Sequence, residues 1–198
     1  MKKAGFMKDA LILFAITLIS GVLLGGVYEM TKTVIAEKEE AAKQETYREV
    51  YADAASFALN EELTEKAATA DLSSYDKVTV SEILDALDAS GTVIGHLATS
   101  TSGAGYGGNV TLTIGITNEG AITGIGFLTL NETPGLGMKV ADDAFKGQFV
   151  GKNAEQLTLV KGGGASGEDE IDAISGATVT SSAVTNAVNA ALFLVASN

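Results

Sequence analysis

The sequence predicts an α+β fold: an antiparallel sheet with covering helices, preceded by one N-terminal transmembrane helix and a helical stalk. Three observations predict it. An uncharged apolar run, "ALILFAITLISGVLLGGVY", occupies positions 10–28. A tract rich in Ala, Glu and Lys, without Gly or Pro, follows it. Beyond position 78, apolar residues recur at every second position in paired segments joined by turn residues, and helical spacing returns towards the end.

The apolar run has the length that a helix needs to cross a bilayer core. Lys2, Lys3 and Lys8 precede it and a Glu-rich segment follows, so the positive-inside rule holds the N-terminus in the cytoplasm and everything after Tyr28 outside. A cleaved signal peptide ending at Val34-Ile35-Ala36 is the rival reading. The run is too long for a signal core, and Glu29 and Lys32 separate it from that site. Gly21 and Gly25, four apart, read either as a helix-packing face or as glycines of a kind common in membrane helices. From Glu29 to about Glu65 the composition favours a helix that continues outward. Val50, Ala54, Phe57 and Ala58 keep a helical period near its end, which therefore packs on the domain. "KAATADLSSYDK" reads as a linker. The expected organisation is 1–28 cytoplasmic tip and span, 29–75 helical stalk and linker, and 76–198 folded domain.

Within that domain "VTVSEILDAL" and "TVIGHLATST" flank the turn "DASG", and "NVTLTIGIT" and "AITGIGFLTL" flank "NEG", which predicts four strands in two hairpins. Positions 137–149 have helical spacing at Val140, Ala144, Phe145 and Phe149; "LTLVKGG" reads as a further strand. "SSAVTNAVNAALFLVAS" closes the domain as a helix. It is too short for a second span and is broken by Asn186 and Asn189, so it is read as buried.

Composition narrows the function. A net charge of −12 argues against nucleic acid as a partner. With no cysteine there is no disulfide, no Cys-ligated zinc or iron–sulfur site, and no lipidated Cys, so redox chemistry requires an organic cofactor. The one histidine, His96, lies on an apolar-alternating run and is read as structural. No catalytic residue and no metal ligand is assigned.

Three stretches remain. "DAISGATVTSSAV" over 172–184 stands before the last helix. In one reading Thr180, Ser181 or Ser182 caps that helix and Gly176 turns the chain into it. That leaves Asp172, Ala177 and Thr178 unexplained. In the other, the helix N-terminus receives a phosphate, with Gly and Ala letting a bulky group lie against the backbone. "TSGAGYGGNV" (101–110) sets a tyrosine among glycines, and "LNETPGLGMK" (130–139) carries the one proline in a Gly-rich loop at a strand end. Each alone is a turn.

Together, in this order, "GYGG", "ETPGLG" and "SGATVTS" after one span and a helical stalk resemble the FMN-binding domain of the G subunit of the Rnf electron-transport complex. That family is shared with the C subunit of the sodium-translocating NADH:quinone oxidoreductase. The resemblance covers nearly the whole chain. It implies that 76–198 is a covalent FMN-binding domain in which a flavin transferase joins FMN to Thr178 through a phosphoester. Asp172, Ser175, Gly176 and Ala177 complete the attachment motif, and Thr180 and Ser181 are placed by the phosphate. It implies further that Glu132, Thr133, Gly135 and Leu136 line the flavin and that Tyr106 borders the same pocket. The long "VKGGGASGEDE" before Asp172 leaves the contacts of that segment open.

The function so implied is that of a membrane-anchored flavoprotein relaying electrons within an ion-translocating ferredoxin:NAD-type complex. Its partners are the other membrane subunits, the flavin transferase and the lipid bilayer, and it has no substrate site of its own. A flavin passes one or two electrons and so links unlike carriers. A tether keeps it in place where free FMN is scarce. Two alternatives stand beside this: a stand-alone extracytoplasmic FMN carrier serving another reductase, and a non-redox surface binding domain whose Gly-rich stretches are all turns.

Overall fold

Turn chemistry and period-two patterning set the framework. The structure, a computed structural model, describes residues 3–196. Met1 and Lys2 of the basic tip, and Ser197 at the end of the expected last helix, lie outside the described residues. The chain divides into two compact units, Met1–Gln44 and Glu45–Asn198.

In the first unit the apolar run belongs to helix α1, Lys3–Val50. Its side chains, among them Phe14, Leu18, Val22 and Leu24, are exposed, which is the state of a helix whose apolar surface requires a non-aqueous surrounding. A Cβ added at Gly21 or Gly25 would meet nothing within 4 Å.

In the second unit five strands form one antiparallel meander in the order β1-β2-β3-β4-β5. These are β1 Ser56–Leu59, β2 Val78–Leu87, β3 Val93–Ser102, β4 Val110–Thr117 and β5 Ile122–Leu130. The two expected hairpins are present. Asp88 Oδ1 accepts the Ser90 and Thr92 N–H groups in the first, and Gly120 at φ +87 closes the second. A positive φ suits glycine because it has no Cβ to clash.

The expected helix to Glu65 is corrected. α1 ends at Val50, and the segment assigned to the end of the stalk folds into the sheet as β1, followed by α2, Glu61–Thr69. Helix propensity amounts to tenths of a kcal/mol per residue. The open edge of β2 offers more: Ala55 N–H and Asn60 N–H donate to Leu87 and Ile83 carbonyls. Asn60 also caps α2, its Oδ1 accepting Leu63 N–H at 2.9 Å. The linker reading of 66–77 therefore holds only after Thr69.

Both faces of the sheet are covered. On one, Ile83, Ala98, Ile114 and Ile116 pack with Val184, Val188, Ala191 and Leu192 of α4, Thr178–Ala196. α4 is thus the buried helix that its asparagines predicted. On the other, Leu84, Ala86 and Leu97 meet Tyr47, Val50 and Tyr51. Gly126 makes room for this second layer: a Cβ there would fall 2.8 Å from Val50 Cγ2 and would also strike Thr46.

The expected helix over 137–149 is a 3₁₀ turn, Gly137–Ala141, and a short helix α3, Asp143–Lys146, divided at Asp142, whose backbone is extended. Val140, Phe145 and Phe149 are nonetheless buried, as their spacing indicated. "LTLVKGG" supplies β6, Thr158–Val160, which pairs in parallel with β7, Glu170–Asp172. His96 is held within the sheet: its Nδ1 lies 3.0 Å from Asp85 Oδ1, which also accepts from Asn60 Nδ2.

Candidate functional site

The three singled-out stretches converge on one groove of about 500 Å³. The loop after β3 brings Tyr106, the loop after β5 brings Glu132, Thr133, Leu136 and Gly137, and the start of α4 brings Gly176 through Thr180. These loops are remote in sequence. The meander places the ends of β3 and β5 at the same edge of the domain as the N-terminus of α4.

Glu132 joins two of the loops. It is 7% exposed, and its Oε1 accepts Tyr106 N–H at 2.8 Å, tying "GYGG" to "ETPGLG". Its Oε2 is buried with no hydrogen-bond partner among the described residues. Gly137 keeps this corner open. A Cβ there would fall 2.6 Å from Glu132 Oε2 and 2.9 Å from Thr180 Oγ1. Gly176, at φ +80, turns the chain into α4 beside Leu136, whose Cδ2 would lie 3.3 Å from an added Cβ. Around the mouth, Tyr106, Leu136 and Val179 leave large apolar surfaces in solvent, Tyr106 at 76% exposure. An apolar rim and a glycine cradle suit a flat ring, and the free N–H groups at the start of α4 beside them suit an anionic group.

The structure separates the predicted residues. Tyr106, Glu132, Thr133, Leu136, Gly176, Ala177, Thr178 and Thr180 line the groove. Gly135, Asp172, Ser175 and Ser181 do not. Gly135, at φ +76, makes the turn between Thr133 and Leu136, and Ser175 is exposed. Asp172 is held through its backbone by Gln148, whose Oε1 accepts Asp172 N–H at 2.7 Å, and its Oδ1 accepts Ala165 N–H at 2.9 Å. It orders the glycine-rich loop instead of facing the groove.

Ser181 is fully buried; its Oγ donates to Ala177 O and accepts Ile174 N–H, which fixes the approach to α4. The capping reading of the hydroxyls is likewise corrected, because α4 begins at Thr178 and Thr180, Ser181 and Ser182 already lie in its first turns. Sequence reasoning missed Val179, which lines the groove and is 52% exposed. Its apolar side chain between two threonines was the available signal.

Residues 105–193 match the FMN-binding domain family, and residues 1–50 match the RnfG N-terminal region. The G subunit of the proton-translocating ferredoxin:NAD(+) oxidoreductase complex of Clostridium ljungdahlii is 33% identical over 192 residues, which cover 93% of this chain and 92% of that protein. This chain belongs to the G-subunit family. The G subunit of the Na(+)-translocating ferredoxin:NAD(+) oxidoreductase complex of Acetobacterium woodii is 37% identical over 186 residues, 92% of this chain and 87% of that protein. Among solved structures, that of Shewanella oneidensis NqrC is similar at 26% identity and a TM-score of 0.48, over 55% of this chain and 53% of that one. The groove of this G-subunit family member falls within the FMN-binding match at every lining residue.

Proposed function

We propose that this chain is the membrane-anchored flavoprotein subunit of an ion-translocating ferredoxin:NAD-type complex, relaying electrons through FMN esterified to Thr178. The observation that carries the reading is the groove itself: the three motifs meet there, and the partly exposed Thr178 stands on its wall at the start of α4. Similarity to G subunits over more than nine-tenths of the chain supports membership of such a complex.

The residues present fit the cofactor. Leu136, Val179 and Tyr106 offer apolar contact to a ring, Gly137 and Gly176 let it approach backbone, and the buried Glu132 Oε2 lacks a donor that a bound group would supply. When bound, FMN supplies one- and two-electron transfer. The protein's part is to hold it: Glu132 fixes the Tyr106 loop, and Ser181 fixes the turn that presents Thr178. Attachment transfers the FMN moiety from a flavin dinucleotide to Thr178: the donor's pyrophosphate P–O bond breaks and a nucleoside monophosphate leaves, while Thr178 Oγ1 gives up its proton and forms the new P–O bond; a flavin transferase is the required maturation partner. α1 anchors the chain in the bilayer, with the basic tip in the cytoplasm and the FMN domain outside. The domain exchanges electrons with other subunits and has no diffusible substrate.

The test is the full chain made in cells with an active flavin transferase, denatured and separated on a gel. A fluorescent band whose 172–181 peptide is heavier by FMN less one water, with the mass on Thr178, is expected. Thr178→Ala abolishes the label and leaves the melting temperature close to that of unlabelled wild type, since loss of a partly exposed hydroxyl costs only about 1 kcal/mol. A labelled Thr178→Ala protein refutes the assignment.

A further inference from the structure

Thr178 does not stand on the wall of one groove only. A second depression of about 450 Å³ also has Thr178 in its lining, with Asp76, Ala104, Leu159, Lys161, Val179, Ser182 and Ala183. Thr178 and Val179 are common to both. A group attached at the threonine hydroxyl therefore borders both, and the two grooves differ in charge. Glu132 is the one ionisable carboxylate lining the first groove, which has no cationic side chain among the described residues. The second has one lysine and one aspartate.

We infer that the phosphate of the tethered FMN lies in the second groove, held by the Lys161 ammonium and the Ser182 hydroxyl, and that the ring takes the first. This rests on the reading that Thr178 is the attachment point. A phosphodiester keeps one negative charge. The first groove offers it no cationic side chain, whereas beside Lys161 it gains an opposite charge. Lys161 is free for this role: it is exposed and makes no ion pair or side-chain hydrogen bond among the described residues.

Its position is set by the fold. Lys161 directly follows β6, where Val160 pairs with Asp172 and its carbonyl accepts Ala173 N–H at 2.8 Å. After it come Gly162, Gly163 and Gly164, all at positive φ, and then Ala165, whose N–H is held by Asp172 Oδ1. Asp172, remote from the first groove, thus acts on the loop that carries the lysine. Asp76, at φ +51, contributes the opposing charge on the same depression.

The experiment is a cycle of flavin loading against mutation. The full chain in detergent is prepared with and without the flavin transferase, and the thermal midpoint of both forms is measured for wild type, Lys161→Gln, Lys161→Glu and Asp76→Asn. The cycle isolates the coupling between the phosphate and each side chain. The expected result is a loading increment in midpoint about 2 °C smaller in Lys161→Gln than in wild type, smaller still in Lys161→Glu, and larger in Asp76→Asn. Equal increments in wild type and both lysine variants, with Asp76→Asn also unchanged, would overturn the inference. A wild-type chain that takes no FMN at Thr178 fails the underlying reading instead, and the mass of the 172–181 peptide separates the two outcomes.

Discussion

Asn189→Ala should melt the domain several degrees early. Asn189 is 2% exposed in α4, and its amide clamps one residue of the β6 segment: Oδ1 accepts Leu157 N–H at 2.7 Å and Nδ2 donates to Leu157 O at 2.9 Å. Leu157 is itself 2% exposed, so truncation strands a buried N–H and a buried C=O that water does not reach. Each orphaned group costs about 1–3 kcal/mol, which makes about 3 kcal/mol a conservative sum. For a domain of this size that is a fall in melting temperature of about 6–12 °C. Denaturant unfolding of the full chain, followed by circular dichroism, should show a lower midpoint at unchanged slope. The sign discriminates between environments. Were α4 a membrane span, removing a polar amide from an apolar helix would favour insertion and stabilise the protein. A variant within about 1 °C of wild type, or above it, refutes the clamp.

The groove and the acid limb of the stability curve provide two further checks. On the proposed attachment at Thr178, Gly137→Val should load far less flavin than wild type, because even the first carbon added there collides with Glu132 and Thr180; the ratio of flavin to protein absorbance reads the loss, and wild-type loading would show that Gly137 does not shape the site. N–H donors from Ser166 and Gly167 hold Glu170 below the usual carboxylate range, and the Ser90 hydroxyl and the Thr92 N–H do the same for Asp88. A carboxylate whose folded pKa is depressed contributes stability above its unfolded value, and that contribution is lost as pH falls through the folded one. The gap in melting temperature between wild type and a Glu170→Gln, Asp88→Asn double variant should therefore shrink between about pH 6 and about pH 3; a gap that stays constant or widens contradicts this.

What the sequence determined by itself is what local physics encodes. The apolar run of 10–28 is legible because a bilayer demands a continuous apolar length. The hairpins β2–β3 and β4–β5 are legible because period two and a turn glycine act over a few residues, and the burial of α4 because its asparagines argue against lipid. The stretch Gly176 to Thr180 is also contiguous, so its part in lining the groove could be singled out. The tertiary structure alone decided the rest. The end of α1 could not be read, since Ser56–Leu59 has no strand signal of its own and is ordered by the free edge of β2. Nor could the different tasks of Asp172, Ser181 and Thr180, three neighbours in one motif that face a loop, a backbone turn and a groove. Lys161 gave no pattern at all. Its nearness to Thr178 follows from the parallel β6–β7 pairing and the packing of α4, contacts between residues far apart in the chain that no local window contains.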